Sequence, residues 1–246
     1  MTETKGKKTR LIELIDDVGA TPALRRLHDR GRGTLTILAY HRVTPIARPG
    51  EPFDVELVSA TPEAFDAQMR YLRENMQPVS LTRVAQQIAG GDPLPPDAVA
   101  VTFDDGFTDV YDHAFPVLRQ YGIPATVFAI TENVETGEPF WFERAAALMA
   151  RLDPHSLRID EIAEALPAGA DLDTRTASLR QLHAALKTVP NARRKQLFTQ
   201  WAQDFPLQLG HRGSEIGWPL TWDQIHEMAA ANIEFGSHTV TLRTPL

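Results

Sequence analysis

Two adjacent carboxylates, Asp104 and Asp105, and one imidazole, His238, are the side chains whose positions in this sequence suggest chemistry. The acid pair directly follows the apolar run AVAVTF and precedes Gly106. His238 directly follows a second apolar run, IEFGS, near the end of the chain. Carboxylate and neutral imidazole together form a ligand set of the kind that binds zinc and similar divalent cations. These residues could therefore hold a divalent metal if the fold brings the two runs together.

The elements that would position these residues alternate between strands and helices. Strands are predicted at TLTILAY, AVAVTF, ATVFAIT and IEFGS, with helical patterns between them. AVAVTF and ATVFAI are apolar on both faces, as in parallel strands that lie between helices and core. The carboxyl ends of such strands meet at one edge of the sheet, where α/β proteins place their sites. The sequence therefore predicts an α/β fold, either a barrel or a doubly wound sheet.

Beyond about residue 140 the strand patterns stop, and three helical patterns follow without strands between them. Alternation resumes at TWDQIHEMAAAN, which carries a capping-box pattern. We therefore predict a helical leader, the first part of an α/β unit, a helical insertion and a return to the α/β unit. Their boundaries are 1–33, 34–139, 140–217 and 218–246.

Composition limits the partners and the compartment. The chain has 246 residues, 43% hydrophobic residues and a formal net charge of −7, which argues against nucleic acid as a main partner. It has no cysteine, so any metal must be held by His, Asp or Glu. No apolar run has the length of a membrane span or a secretory signal, and we expect a cytoplasmic protein.

Several candidate residues also have simpler interpretations. The acid pair could cap the following helix, as Asp often does. His41 ends the first predicted strand and could line a substrate pocket, assist a metal, or only bond the strand end. Phe140, Trp141 and Phe142 could stack on a sugar, but anchoring the helical insertion is the favoured interpretation. Asp109 is interpreted as a first-turn acid favoured by the helix dipole.

At these motifs the sequence resembles a known family. TFDDGF together with GSHT, preceded by AYHRV and followed by YGIPATVFAI, is similar to the polysaccharide deacetylases of carbohydrate esterase family four. These share the nodulation-type deacetylase homology domain. The similarity covers about residues 34–139 and 218–241. It implies a distorted (β/α) barrel that hydrolyses N-acetyl or O-acetyl groups on a polysaccharide or oligosaccharide with a divalent metal, expected to be zinc. It also implies that Asp104 is the catalytic base and that Asp105 and His238 bind the metal.

The sequence departs from the family pattern at the second motif. The closing histidine of that motif falls on Leu242, which cannot coordinate a metal. The later family motifs have no counterpart, and four or five strands are predicted where closure of a barrel needs about seven or eight. We therefore expect an incomplete, C-terminally truncated barrel with a weakened metal site, and this chain could be inactive.

Three functions remain open from the sequence. The first is a metal-dependent hydrolase that removes acetyl groups from a polysaccharide or its precursor. The second is a relative that binds glycan without turnover, or a non-functional fragment. A phosphoryl-transfer or receiver-like domain using Asp104 or Asp105 is the third, and it lacks a Gly-rich phosphate loop and a placed lysine.

Overall fold

A computed structural model describes residues 34–45, 57–152, 171–205 and 217–241. The predicted leader at 1–33 and Leu242 lie outside the described residues. The strands are β1 (Leu35–Tyr40), β2 (Arg42–Val43), β3 (Val58–Ala60), β4 (Gln77–Pro78), β5 (Ala98–Phe103), β6 (Ala125–Ala129) and β7 (Ile233–Ser237). The α-helices are α1 (Pro62–Asn75), α2 (Leu81–Gly90), α3 (Phe115–Tyr121), α4 (Thr131–Thr136), α5 (Trp141–Arg151), α6 (Leu172–Thr188), α7 (Asn191–Asp204) and α8 (Trp222–Ala230).

Five of these strands form one parallel sheet with β5 at its centre. Strand β1 pairs along the whole of β5, with Tyr40 opposite Phe103. On the other side of β5, β4 pairs with its first residues and β6 with its last, while β7 pairs with β6. The carboxyl ends of β1, β5, β6 and β7 therefore lie at one edge. The predicted α/β class is confirmed, and closure of the sheet into a barrel remains a prediction.

The main core forms around β5, which is buried at every position. Helix α1 contributes Phe65, Met69 and Leu72, spaced so that they share one helix face. Residues of α3, α8 and the neighbouring strands belong to the same cluster. Burial on both faces explains why β5 is apolar throughout rather than alternating.

Helix boundaries follow the capping residues in the sequence. Thr61 and Ser80 accept hydrogen bonds from backbone N–H groups in the first turns of α1 and α2. Thr221 and Gln224 form the predicted capping box at α8. Gly91 ends α2 in the left-handed conformation, with φ of 75°.

The chain after the acid pair does not form a regular helix at once. A π-helical turn, Val110–Ala114, precedes α3, and the N–H of Phe115 donates to the Val110 carbonyl. Pro116 lies in the first turn of α3 and has no N–H to offer the preceding turn. The regular helix is therefore interrupted just before this proline by a π-helical turn.

Helices α5, α6 and α7 bury a second cluster of apolar side chains, which includes Leu148, Leu182 and Trp201. Phe140 and Phe142 belong instead to the main core, and Trp141 packs against both clusters. The described parts of residues 140–217 contain helices and no strand. A single β-bridge between Phe107 and Pro219 lies just beyond them. The exact boundaries of the predicted insertion remain a prediction. Among the described helices, none has the length and apolar character needed to cross a bilayer.

Candidate active site

The ends of β5 and β7 bring the sequence-predicted residues together. His238 Nε2 lies 3.6 Å from Asp105 Oδ1. Both residues are tied to the end of β6: the N–H of His238 donates to the Ala129 carbonyl at 2.8 Å, and the N–H of Ile130 donates to the Asp105 carbonyl at 3.0 Å. The expected meeting of two distant strand ends is therefore present, with β6 between them.

An unusual backbone turn aims Asp105 into the protein. Asp105 has a φ of 67° and Gly106 a φ of 81°, so two consecutive residues lie in the left-handed region. A Cβ on Gly106 would lie 2.8 Å from the Cβ of Ala129, which leaves room for glycine alone. The glycine is predictable from the sequence, but the left-handed Asp105 is not. Such strain in a non-glycine residue is typical of functional sites.

Asp105 is a buried acid in an electrostatically unfavourable place. Its residue is 3% exposed, and burial raises the pKa of its carboxyl to about 7, with further increases from the charges of Asp104 and Glu143. No described residue donates a hydrogen bond to this carboxylate. A bound cation would lower the pKa of the Asp105 carboxyl again, because it stabilises the ionised form.

The donor pair fits a divalent cation in type and spacing. Two ligand atoms about 2.1 Å from a tetrahedral zinc ion are about 3.4 Å apart, close to the 3.6 Å between His238 and Asp105. The described residues contain no group of three or more His, Asp or Glu side chains able to hold a metal. The geometry thus supplies two protein ligands, while a catalytic zinc site normally has three.

Asp104 and His41 lie side by side at the ends of β5 and β1. The N–H of Asp104 donates to the Tyr40 carbonyl at 2.8 Å, and the N–H of His41 donates to Ser59 Oγ at 2.8 Å. Both residues are partly exposed. Neither carboxylate of the acid pair accepts a hydrogen bond from a described backbone N–H, so the helix-capping interpretation is wrong.

A buried ion cluster lies next to the acid pair and was missed by sequence reasoning. Arg42 Nε lies 2.6 Å from Asp109 Oδ2, and Arg42 Nη1 lies 3.2 Å from Glu143 Oε1. We call these three residues the Arg42 cluster. The N–H groups of Val43 and Gly217 donate to its two carboxylates.

Asp109 does lie at the start of the helical segment, but the first-turn interpretation leaves out its ion pair with Arg42. Asp109 is 7% exposed and bonds Arg42, because β2 carries that arginine beneath the π-helical turn. The one available sequence signal was Glu143, a charge within the apolar stretch FWFERAAAL. Arg42 in the HRV motif carried no such signal, because an arginine beside a histidine is usually solvated.

Comparison with known proteins identifies the class. The family model described as polysaccharide deacetylase matches residues 91–245. The chain belongs to the polysaccharide deacetylase family.

Individual relatives match shorter stretches. Poly-beta-1,6-N-acetyl-D-glucosamine N-deacetylase of Escherichia coli (strain K12) is 38% identical over 87 residues, which are 35% of this chain and 13% of that protein. The protein of the same name from Staphylococcus epidermidis is 31% identical over 81 residues, or 33% of this chain and 28% of that protein. The matches therefore span less than a third of either relative's length.

Solved structures of similar proteins cover more of the chain. A de-N-acetylase from Aggregatibacter actinomycetemcomitans aligns with 85% of this chain and 55% of its own at 20% identity and a TM-score of 0.46. IcaB from Ammonifex degensii aligns with 87% of this chain and 88% of its own at 21% identity and a TM-score of 0.38.

Proposed function

We propose that the site at the ends of β5 and β7 hydrolyses the acetyl groups of a polysaccharide or its precursor, breaking a C–N amide bond or an O-acetyl ester. Asp105 and His238 would hold a divalent cation, with zinc the favoured ion. The observation that carries the proposal is the 3.6 Å approach of His238 to a buried Asp105 carboxylate that accepts no hydrogen bond from a described residue. Family membership and the names of the relatives support the same chemistry.

Asp104 is the proposed general base. Amide hydrolysis needs a water that loses a proton as it attacks the acetyl carbon. Asp104 is adjacent to Asp105, is partly exposed and is free of capping bonds, so it can accept that proton. A zinc ion, when bound, supplies polarisation of the carbonyl and a lowered pKa for water. The C–N bond then breaks, and the departing amine takes up the proton that Asp104 accepted from the water.

His41 is the proposed substrate-binding residue. It ends β1, directly beside the end of β5 that carries Asp104, and its side chain is partly exposed. An acetylated polysaccharide crossing this edge of the sheet would pass the imidazole. A hydrogen bond from His41 to a sugar hydroxyl would orient the acetyl group over the acid pair.

A second candidate function is glycan binding without turnover. It is favoured by the presence of two rather than three metal-type side chains in the described part of the site, and by Leu242 at the position of the family's closing histidine. Weak metal binding would leave a protein that positions a glycan but hydrolyses it slowly.

Zinc calorimetry combined with acetate release separates the two candidates. The full chain should bind one zinc ion, and Asp105→Asn and His238→Gln should each remove that binding. Asp104→Asn should keep the zinc and abolish acetate release from acetylated glucosamine oligomers. His226→Gln is the matched control, because His226 is an exposed histidine on α8.

Each outcome supports or contradicts one of the two candidate functions. Zinc binding with acetate release supports the hydrolase. Glycan binding with no acetate release, with or without zinc, supports the non-catalytic relative. Zinc binding that survives both Asp105→Asn and His238→Gln contradicts the proposed ligands.

A further inference from the structure

A buried arginine of the helical insertion contacts the stretch of chain that carries His238. Arg194 lies on α7 and is 3% exposed. Its Nη2 donates a hydrogen bond to the Thr241 carbonyl at 3.1 Å, three residues beyond His238. We call residues 238–241 the His238 segment. A charged donor from outside the parallel sheet therefore bonds the segment that contains a proposed metal ligand.

The guanidinium of Arg194 is itself held in one orientation. Its Nη2 also donates to Asn191 Oδ1 at 3.1 Å, and its Nη1 donates to the Leu186 carbonyl at 3.4 Å. The guanidinium carbon lies 4.7 Å from the centre of the Trp141 ring. A planar guanidinium that is fixed by several acceptors and an aromatic face has little freedom to turn. Arg194 therefore offers the His238 segment a rigid anchor on the helical insertion.

The middle of the His238 segment is bonded to the start of α4. The N–H groups of Thr131 and Glu132 donate to the carbonyls of Thr239 and Val240 at 3.3 and 3.1 Å. The first N–H groups of a helix have no acceptor within that helix. The hydrogen exchange of these two N–H groups with solvent therefore reports whether the His238 segment is in place.

The His238 segment needs support at both ends because its backbone is strained. Thr239 has a φ of 65°, in the left-handed region that a β-branched residue rarely adopts. A residue stays in such a conformation only where the surrounding structure holds it. The sheet holds the first end, since the N–H of His238 donates to the Ala129 carbonyl at 2.8 Å. Arg194 holds the other end at Thr241.

We propose that Arg194 is a positioning residue for the candidate active site. By bonding the Thr241 carbonyl, it fixes the His238 segment, so that the imidazole stays within reach of Asp105. Arg194 acts through the backbone and touches neither substrate nor metal. That this position serves metal binding rests on the proposed function, whereas the hold on the segment does not.

Two measurements on the full chain, with the metal chelated, test the hold on the segment. In Arg194→Met, amide hydrogen exchange at Thr131 and Glu132 should accelerate about tenfold or more, since a charge-assisted hydrogen bond is lost. The ¹³C imidazole signal of His238 should shift in the same variant. That signal is assigned among those of the 8 histidines by its loss in His238→Gln.

Zinc calorimetry tests the consequence for the metal site. Loss of a residue that supports a metal ligand typically weakens metal binding about 10–100-fold. Arg194→Met should weaken zinc binding about tenfold, at the lower end of that range, because Arg194 acts through the backbone. Arg194→Lys keeps a charged donor but loses the planar fork. Its zinc affinity and exchange rates should therefore lie between those of Arg194→Met and the original chain.

Leu182→Ala is the matched control for a loss of stability alone. Leu182 is fully buried in the apolar cluster that α5, α6 and α7 share. Its truncation destabilises the helical insertion and leaves the Arg194 side chain unchanged. This variant should keep the exchange rates at Thr131 and Glu132, the His238 signal and the zinc affinity of the original chain.

The inference is overturned if Arg194→Met leaves the exchange rates and the His238 signal unchanged, or if Leu182→Ala changes them equally. Accelerated exchange in Arg194→Met with an unchanged zinc affinity also overturns it, because the hold would then not position the ligand. Failure of the proposed function looks different. In that case the original chain binds no zinc or releases no acetate, while the exchange and imidazole comparisons still decide whether Arg194 positions His238.

Discussion

Two sets of buried carboxylates near the same strand ends differ in what neutralises them. In the Arg42 cluster, Asp109 and Glu143 bond one guanidinium, and Arg42 lowers the pKa of Asp109 against the effect of burial. Asp105 has no such partner among the described residues, and every influence on its pKa raises it. The comparison teaches that the first set is a structural charge group, while the second lacks the positive charge that the proposed metal ion would supply.

The largest expected effect comes from removing the Arg42 guanidinium from the Arg42 cluster. Arg42→Met removes the guanidinium that bonds two buried carboxylates and should lower the free energy of unfolding by about 3–5 kcal/mol. Urea denaturation measures this. Arg119→Met, at an exposed arginine, should change stability by less than about 0.5 kcal/mol. An equal loss in both variants would show that the Arg42 cluster is not a special charge group.

The Asp105 carboxyl should make the free energy of unfolding depend on pH. The pKa of Asp105 is raised from 3.8 to about 7 in the folded, metal-free chain. Between these values the folded state holds a proton that the unfolded state has released, so the free energy of unfolding falls as pH rises. The Asp105 contribution is up to about 4 kcal/mol.

Asp105→Asn removes this contribution and should flatten the curve. Chemical denaturation of both chains at a series of pH values, with the metal chelated, measures the difference. Asp112→Asn, at an exposed acid in the same region, serves as the control and should leave the curve unchanged. A wild-type curve that rises through this range relative to Asp105→Asn would contradict the assignment of Asp105 as an uncompensated acid.

The turn that aims Asp105 inward can be tested through its glycine. Gly106→Ala meets both a left-handed φ and a clash with Ala129, and should cost about 2–3 kcal/mol. Gly91→Ala has a left-handed φ of 75° and nothing within 4 Å, so it should cost only about 1 kcal/mol. Thermal unfolding of the two variants gives the cost of the close approach by subtraction. Equal costs would mean that the strand ends are not tightly packed.

The smallest expected effect is on the pKa of Asp105, which the charge of Glu143 in the Arg42 cluster influences. Glu143 bonds Arg42, and its charge also raises the pKa of Asp105. Glu143→Gln should therefore lower the Asp105 pKa modestly in the metal-free chain, as followed by carboxyl carbon NMR. Glu135→Gln, at an exposed position on α4, should leave it unchanged. A rise of the Asp105 pKa in Glu143→Gln would show that the two sets are not coupled in this way.

Sequence reasoning predicted the elements whose burial or caps are locally encoded. Strand β5, the capping box at Thr221 and the glycine at 106 all follow from residue type and spacing. It missed β2, β3 and β4, which are two or three residues long and carry no periodic pattern. Parallel pairing with distant strands creates them, and no local signal reports it.

The residues of the candidate site also differ in whether the sequence predicts them. Asp104, Asp105 and His238 could be grouped because each follows an apolar run, and parallel strands end at one edge. The Arg42 cluster joins residues separated by 67 and 101 positions. Such a cluster depends on how α5 and the π-helical turn pack against β2, which no spacing rule encodes.

The central claim is that Asp105 and His238 share one divalent cation, and anomalous diffraction tests it most directly. Crystals of the full chain grown with zinc, measured at the zinc absorption edge, should show a peak at the end of β6. We expect it about 2.0–2.2 Å from an Asp105 carboxylate oxygen and about 2.0–2.1 Å from His238 Nε2, with Asp104 outside bonding distance. A peak bound elsewhere, or the absence of any peak between these two side chains, would contradict the account.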